Sequence, residues 1–331
     1  MSTTTMPGTR TLVTGGAGFI GTAVCHRLVA SGCRVVVVDD ASTATMSLCD
    51  ETLRDVEVVQ GDLVDIDLRS VLAGVDRVVH LAGRPGVQSS WGPGFTDHLR
   101  HNVQATQRLL EAALDAPVER VVVASSSSVY GNIGSGYVAE TRPVSPVSPY
   151  GVTKAAVELL VQAYADRGVP AIALRFFTVY GRGQRPDMAL HRIIEAGLGG
   201  PPFPRRGDGT QQRDLTHVDD VAAATLRALG ADVAMGTAIN VGSGRPVSLT
   251  RLTALVEEQL GAAVQISVQE RAAGDPQRTA ADIGLASRVL GWRPQVSLHD
   301  GIADQIAWHL GGGGGAAGRA MPAAQLGARV G

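Results

Sequence analysis

The stretch Thr14-Gly15-Gly16-Ala17-Gly18-Phe19-Ile20-Gly21 follows directly on an apolar run, Arg10–Thr14, that is typical of a buried strand. A helical pattern over Ala23–Ala30 comes next, and a β-branched strand over Arg34–Val38 ends at the pair Asp39-Asp40. In such a βαβ unit, closely spaced glycines let backbone N–H groups approach a dinucleotide pyrophosphate at the helix N-terminus. An acid 18 residues after the last glycine binds the adenosine ribose and repels a 2′-phosphate. The stretch therefore predicts a dinucleotide-binding fold that prefers NAD to NADP.

Strands and helices continue to alternate beyond this unit. Helical patterns over about 97–114 and 150–165 lie between further strand candidates, which are Val56–Gln60, Arg77–Leu81, Arg120–Ala124 and Ala171–Arg175. This alternation predicts an α/β protein built on a Rossmann-type doubly wound parallel sheet. In that architecture, ligands bind outside the carboxyl ends of the strands.

The alternation lapses after residue 175, and we divide the chain there. We expect an NAD-binding Rossmann domain over 10–175 and a smaller α/β substrate lobe over 176–310, interleaved with the first. Gly197–Gly209 is rich in Gly, Pro and Arg and is expected to form a loop that folds over a ligand. The composition of residues 1–9 predicts a flexible arm, and that of 311–331 a disordered Gly/Ala tail.

Composition sets limits on partners and location. The formal net charge of −2 and the sequence pI near 6.4 give no reason to expect nucleic acid or an acidic membrane as a partner. Three cysteines at 25, 33 and 49 lack metal-binding spacing and fit a reducing compartment. The chain shows no signal peptide and no apolar run of the roughly 20 residues needed to span a bilayer. We expect a soluble cytoplasmic protein without a metal site.

Tyr150-Gly-Val-Thr-Lys154 contains the only lysine among the 29 Lys and Arg residues of the chain. On a helix, side chains four residues apart share a face. A free phenol has a pKa of about 10, so it needs a nearby cation before it can act as a base near neutral pH. The pair therefore predicts a proton-transfer site, and an ordinary helix-surface contact is the alternative interpretation of the spacing alone.

Together with the glycine stretch and Ser126, this pair resembles the motifs of extended short-chain dehydrogenase/reductases. From about residue 10 to 310 the chain is similar to their nucleotide-sugar epimerase/dehydratase branch. The resemblance implies that NAD is the cofactor and that Lys154 holds the nicotinamide ribose and keeps Tyr150 ionised. Tyr150 would take a proton from the sugar 4-hydroxyl as hydride passes to NAD, with Ser126 bonded to the same oxygen. The implied cofactor site also contains Gly15, Gly18, Phe19, Ile20, Gly21, Asp39, Asp40, Asp62, Leu63, Leu81, Ala82, Gly83, Asn102 and Phe177.

The residues before Val129-Tyr130-Gly131 select the reaction. The family's 4,6-dehydratases carry an Asp-Glu pair there, and its decarboxylases carry Glu directly before the tripeptide. This chain has Ser127 and Ser128, and a hydroxyl cannot act as a carboxylate acid or base. Elimination and decarboxylation are therefore disfavoured, and 4-epimerisation remains. Ser127 is expected to contact the substrate.

Thr178 and Arg185 indicate which sugar the protein binds. Their surroundings, Phe-Phe-Thr-Val-Tyr-Gly and Arg-Pro-Asp-Met-Ala, resemble UDP-glucuronate 4-epimerases, in which this Thr and Arg hold the C6 carboxylate. A hydroxyl and a guanidinium suit a carboxylate. The resemblance also assigns Arg213 and Arg271 to the diphosphate and Asp275 to ribose hydroxyls of the UDP.

We therefore expect conversion of UDP-glucuronate to UDP-galacturonate. Such enzymes often carry Gly-Val-Arg where this chain has Gly86-Val87-Gln88, which keeps a UDP-glucose/UDP-galactose 4-epimerase open as an alternative. A non-catalytic NAD-binding sensor is a second alternative, disfavoured because a sensor does not need the phenol. The resemblance further implies a homodimer through the helices at about 97–114 and 150–165.

Overall fold

The computed structural model describes residues 7–42, 56–270 and 274–313 of the chain. Its strands, numbered along the chain, are β1 (Arg10–Thr14), β2 (Arg34–Asp39), β3 (Glu57–Gln60), β4 (Arg77–His80), β5 (Arg120–Ser126), β6 (Ala171–Phe176), β7 (Thr178–Tyr180), β8 (Phe203–Arg206), β9 (Gln212–His217), β10 (Ala238–Val241), β11 (Pro246–Ser248) and β12 (Ile266–Gln269). Seven of them form one parallel sheet in the order β10-β6-β5-β4-β1-β2-β3. The predicted doubly wound α/β sheet is thus confirmed.

Helices cover both faces of this sheet. The helices of the described residues are α1 (Phe19–Ala30), α2 (Leu68–Leu72), α3 (Gly94–His98), α4 (Ala105–Ala113), α5 (Pro149–Ala165), α6 (Ala189–Gly197), α7 (Val218–Gly230), α8 (Leu249–Leu260), α9 (Gly284–Val289) and α10 (Leu298–Trp308), of which α6, α8 and α10 pack in a separate core. Val13 of β1 and Val37 of β2 point into a core shared with α1, α7 and α9. Leu12 and Val36 point to the opposite face, into a core shared with α2, α4 and α5. Because the strands are buried on both faces, they read as continuous apolar runs rather than alternating ones.

The predicted helix at 97–114 differs from the observed one. Helix α3 ends at His98, a π-helical segment follows over Leu99–Gln104, and α4 then runs from Ala105 to Ala113. A π turn holds one more residue than an α turn and shifts every later side chain around the axis. The segment carries Asn102, whose side chain is thereby turned into the protein, where it is 1% exposed.

The other predicted helix begins where the sequence indicates. Pro149 is its first residue, a position at which the missing N–H costs nothing. Ser148 caps the helix, since its Oγ accepts a hydrogen bond from the backbone N–H of Gly151 at 3.1 Å. This capping sets the first turn of α5, which carries Tyr150.

A smaller lobe follows β6. It contains the three-stranded sheet β11-β9-β7 and the pair β12-β8, and α6, α8 and α10 enclose its apolar core around Ile193, Val256 and Ile302. The chain also returns to the central sheet in this half, since β10 pairs with β6 and α7 packs against α1.

One stretch of this lobe is not the loop that was expected. Gly197–Gly209 contains β8, which pairs in parallel with β12 through the register Phe203 with Ile266. Glycines at 199, 207 and 209 have φ of +86°, +74° and +87°, so they turn the chain at either end of the strand. Residues 1–6 of the predicted arm, 314–331 of the predicted tail, Cys49 and Arg271 lie outside the described residues.

Candidate active site

A cleft of about 380 Å³ lies across the carboxyl ends of the central strands. It brings together the predicted residues Gly15, Gly18, Phe19, Ile20, Gly21, Asp39, Asp40, Asp62, Leu63, Leu81, Ala82, Gly83, Ser126, Ser127, Tyr150, Lys154, Phe177, Thr178, Arg185, Arg213 and Asp275. None of residues 197–209 is among the residues that line this cleft, and the expectation that this stretch folds over a bound ligand stays a prediction.

The glycine turn is as tight as a dinucleotide site requires. Gly15 has a φ of +73°, and a Cβ there would lie 2.6 Å from the backbone nitrogen of Ala82. A Cβ at Gly21 would collide with the carbonyl oxygen of Gly15. Gly18 precedes α1, and no side chain caps that helix, so the N–H groups of its first turn are left for a ligand. These features fit the pyrophosphate of NAD.

Asp39 is fixed beside this turn. Its two carboxylate oxygens accept hydrogen bonds from the backbone N–H groups of Ala17 and Ala41 at 2.9 and 2.8 Å. Backbone N–H groups that precede and follow Asp39 in the sequence therefore orient the carboxylate that would bind the adenosine ribose.

The neighbouring acids are held by side-chain cations. Asp40 pairs with Arg84 at 3.5 Å, and Asp62 accepts two hydrogen bonds from Arg100 at 3.0 and 3.2 Å. Burial opposes ionisation of Asp62, but the Val64 N–H and Arg100 bring its pKa below the ordinary value. Asp40 and Asp62 are therefore carboxylates at neutral pH.

Asn102 stands behind the cleft and is not among its lining residues. Its Oδ1 accepts a hydrogen bond from the backbone N–H of Arg84 at 2.7 Å, and its Nδ2 donates to the Arg84 carbonyl and to Thr153 Oγ1 at 3.1 and 3.0 Å. A Cβ at Gly83 would lie 2.6 Å from Asn102 Oδ1. Asn102 thus ties the Gly83–Arg84 loop to α5, and its assignment to the cofactor stays a prediction.

Ser126, Tyr150 and Lys154 meet in the middle of the cleft. Burial raises the pKa of the Tyr150 phenol, while a hydrogen bond with Ser126 and the positive charge of Arg185 lower it. Lys154 donates from Nζ to the carbonyl oxygen of Ala124 at 2.8 Å. Burial lowers the pKa of Lys154 to about 8, although the negative charge of Glu158 works in the opposite direction.

Glu158 lies beneath these residues and was missed in the sequence. Its carboxylate accepts hydrogen bonds from Nε and Nη2 of Arg175 at 2.9 and 2.7 Å, and both side chains are 7% exposed. Ser125 Oγ donates to the same carboxylate. One signal was present, because Tyr150, Lys154 and Glu158 are spaced at four-residue intervals on one helix face.

The far end of the cleft is lined by the predicted substrate residues. Thr178 begins β7, and Arg185 lies in the loop before α6. Arg213 donates from Nη2 to Asp275 Oδ1 at 2.6 Å, so the two side chains assigned to the UDP are ion-paired with each other. The cleft thus has acids at one end, a phenol and an amine in the middle, and arginines at the other end.

A family model described as the NAD dependent epimerase/dehydratase family matches residues 11–242. The chain belongs to the NAD dependent epimerase/dehydratase family. The resemblance seen in the motifs is confirmed, and the chain is an enzyme of this family.

Similar proteins and similar solved structures also include nucleotide-sugar epimerases. A Bacillus subtilis protein described as "Uncharacterized UDP-glucose epimerase YtcB" is 40% identical over 306 residues, covering 90% of this chain and 96% of that protein. The Bacillus cereus UDP-glucuronic acid 4-epimerase, solved with UDP-glucuronic acid and NAD, has a TM-score of 0.85 and 37% identity over 90% of this chain and 98% of that one. MoeE5, solved with UDP-glucuronic acid and NAD, has a TM-score of 0.86 and 43% identity over 92% and 99%. These matches confirm NAD as the family's cofactor.

Two further findings concern the described parts of the chain, 7–42, 56–270 and 274–313. They contain no group of three or more His, Cys, Asp or Glu side chains that could hold a metal ion. None of their helices combines the length and the apolar character needed to cross a membrane.

The lowered pKa of Lys154 is directly measurable, because this is the only lysine in the chain. With lysine labelled by ¹³C at Cε, NMR should show one signal from the folded, cofactor-free protein, titrating with a midpoint of about 8. In urea the same signal should titrate near the ordinary value of about 10.4. A Glu158→Gln variant that keeps its circular dichroism spectrum should titrate lower still. A midpoint near 10.4 in the folded protein would contradict the burial argument.

Proposed function

We propose that this chain catalyses the NAD-dependent epimerisation of UDP-glucuronate at C4, giving UDP-galacturonate. The coarser activity, 4-epimerisation of a UDP-sugar, is supported by the family and by relatives that carry such names. The observation that carries the finer proposal is the presence of Tyr150, Ser126 and Arg185 in one cleft, with the phenol coupled electrostatically to the guanidinium. A carboxylate-binding arginine and a proton-transfer site are thus within reach of one sugar.

Each residue in the middle of the cleft has a separate task. The glycine turn, Asp39 and Lys154 would hold NAD, which would supply reversible hydride transfer at C4 of the sugar. Tyr150 removes the proton of the 4-hydroxyl and later restores it, while Ser126 hydrogen-bonds the same oxygen. Lys154, one helical turn beyond Tyr150, is mostly charged at neutral pH and favours the phenolate.

The side chains around Tyr150 favour epimerisation over elimination. Ser127 and Ser128 line the cleft where dehydratases of the family carry Asp and Glu. The acids that do line it are accounted for: Asp39, Asp40 and Asp62 surround the cofactor end, and Asp275 is paired with Arg213. The residues that line the described cleft therefore offer no spare carboxylate for moving protons at C5 or C6.

The choice of glucuronate rests on Thr178 and Arg185. Both line the cleft, and a hydroxyl beside a guanidinium suits a carboxylate. UDP-glucose epimerisation is the second candidate, and a specific observation favours it: MoeE5 has been solved with UDP-glucose as well as with UDP-glucuronic acid. The two candidates share every catalytic residue and differ in what Thr178 and Arg185 contribute to binding the group at C6.

We also propose a homodimer. Leu99, Val152 and Leu159 lie on the π-helical segment and on α5 and are 45%, 48% and 63% exposed, which is unusual for leucine and valine on neighbouring helices. Pairing these helices with their copies in a second chain would cover this apolar face.

Light scattering should give about twice the chain mass of 34.3 kDa, and Leu159→Arg should reduce the protein to a monomer. A monomeric wild-type protein would refute the dimer.

Replacing Tyr150 by Phe removes only the phenolic oxygen. We expect turnover to fall at least 100-fold, the scale of general acid–base catalysis, with NAD binding unchanged. Tyr137→Phe is the matched control, because Tyr137 is 61% exposed and lies outside the cleft. Product analysis of UDP-sugars and a fluorescence titration of NAD measure the two effects. Full activity of Tyr150→Phe would refute the catalytic assignment of Tyr150, whereas a wild-type protein that binds NAD but turns over no UDP-sugar would support the NAD-sensor alternative.

Replacing Arg185 by Ala tests which UDP-sugar the enzyme prefers. We expect KM for UDP-glucuronate to rise at least tenfold and KM for UDP-glucose to change less than twofold, because only the acidic sugar loses a charge-assisted contact. Arg182→Ala is the control, since Arg182 pairs with Asp219 and Asp304 and does not line the cleft. Equal effects on both sugars would favour the neutral-sugar epimerase.

A further inference from the structure

The side chain of Asp187, which lies outside the cleft, holds the guanidinium of Arg185. Its Nε and Nη2 donate to Oδ1 and Oδ2 of Asp187 at 2.9 and 2.8 Å, a bidentate ion pair across two residues. Arg185 lines the cleft and its side chain is 22% exposed, whereas Asp187 does not line the cleft and its side chain is 61% exposed. The acid therefore approaches the guanidinium from the solvent side.

The planar shape of the guanidinium determines which of its N–H donors remain available once Asp187 is bound. Arginine carries five N–H donors in a rigid plane, and Asp187 uses the edge formed by Nε and Nη2. The edge between Nη1 and Nη2 remains, and its further contact is a weak one, Nη2 at 3.7 Å from the sulfur of Met188. A carboxylate binds such an edge through two parallel hydrogen bonds.

The backbone that carries Arg185 is anchored immediately before it. Gln184 is 1% exposed; its Nε2 donates to the Val179 carbonyl, and its Oε1 accepts from the His191 N–H and from Gln305. The start of the Arg185 side chain is therefore fixed, and its own torsions are the freedom that remains. The bond to Asp187 removes that freedom.

We propose that Asp187 is the positioning residue for substrate selection: it holds the Nε/Nη2 edge of Arg185, presents the Nη1/Nη2 edge to the sugar's C6 carboxylate, and offsets the arginine's charge at Tyr150. This inference rests on the proposed function for the identity of the ligand. Asp187 does not touch the sugar and acts through Arg185 alone.

The charge offset has a separate physical basis. The positive charge of Arg185 lowers the pKa of Tyr150, and a carboxylate in contact with Arg185 reduces that influence. Two other groups face the phenol: Ser126, and His98, whose ring centre is 5.9 Å from that of Tyr150. Lys154 lies one helical turn further along α5. Burial lowers the pKa of His98, so this ring is neutral at neutral pH and leaves Arg185 and Lys154 as the nearby cations.

The orientation is tested by binding. In an NAD-loaded Tyr150→Phe background, where turnover is suppressed, dissociation constants for UDP-glucuronate and UDP-glucose are measured by calorimetry with and without Asp187→Ala. We expect UDP-glucuronate to bind about tenfold more weakly and UDP-glucose to change less than twofold. Asp115→Ala is the matched control, since it removes an exposed acid paired with Arg69 at 2.7 Å. Equal effects on the two sugars, or none, would overturn the positioning role.

The charge offset is tested without any sugar. The ultraviolet absorbance of phenolate is titrated in NAD-loaded wild type and Asp187→Asn, and subtracting the Tyr150→Phe curve in each background isolates Tyr150. Removing the negative charge leaves Arg185 stronger, which favours phenolate, so the midpoint should fall by about half a pH unit. A midpoint that stays or rises would overturn the offset.

The two arms separate this inference from the proposed function. If the wild-type cleft binds UDP-glucuronate no better than UDP-glucose, the proposed substrate fails, and that is visible before Asp187 is changed. The Tyr150 titration then still decides whether Asp187 governs the charge of Arg185.

Discussion

The buried ion pair between Arg175 and Glu158 holds the reacting part of the cleft together. Removing one partner of such a pair costs about 3–5 kcal/mol, because the other charge stays buried without compensation. The pair joins β6 to α5, and Ser125 adds the end of β5 to the same carboxylate. Ser126 is the next residue along β5, and Lys154 is one turn before Glu158 on α5. The geometry of both therefore depends on an interaction in which neither takes part.

The same pair sets the electrostatic condition of Lys154. Because Arg175 occupies both carboxylate oxygens of Glu158, that acid raises the pKa of Lys154 only in part, and burial prevails. A free Glu158 would bind the ammonium and hold it charged at the floor of the cleft. The ammonium instead donates to the Ala124 carbonyl and, with its pKa lowered to about 8, stays mostly charged at neutral pH but loses its proton more readily than an ordinary lysine.

The features that could be predicted from the sequence are those that residues close together in the chain determine. The glycine turn, β1 and the start of α5 follow from patterns a few residues long, and they agree with the structure. Glu158 escaped notice because its importance comes from a partner on another element. The loop expected at Gly197–Gly209 contains the strand β8 because β12, far along the chain, pairs with it. The π turn that rotates Asn102 inward is likewise not visible in the periodicity of the sequence.

The two ends of the cleft are held by different kinds of contact. At the cofactor end, backbone N–H groups orient Asp39, so the chain itself fixes the geometry. At the sugar end, side chains pair with one another, Arg213 with Asp275 and Arg185 with Asp187. Ion pairs at exposed positions are worth about 0–1 kcal/mol each. An epimerase must present both faces of one sugar to a cofactor that stays in place. Backbone contacts fix the dinucleotide end, whereas the sugar end is ordered by side-chain pairs alone, so the chain restrains the cofactor more firmly than the sugar ring that has to turn.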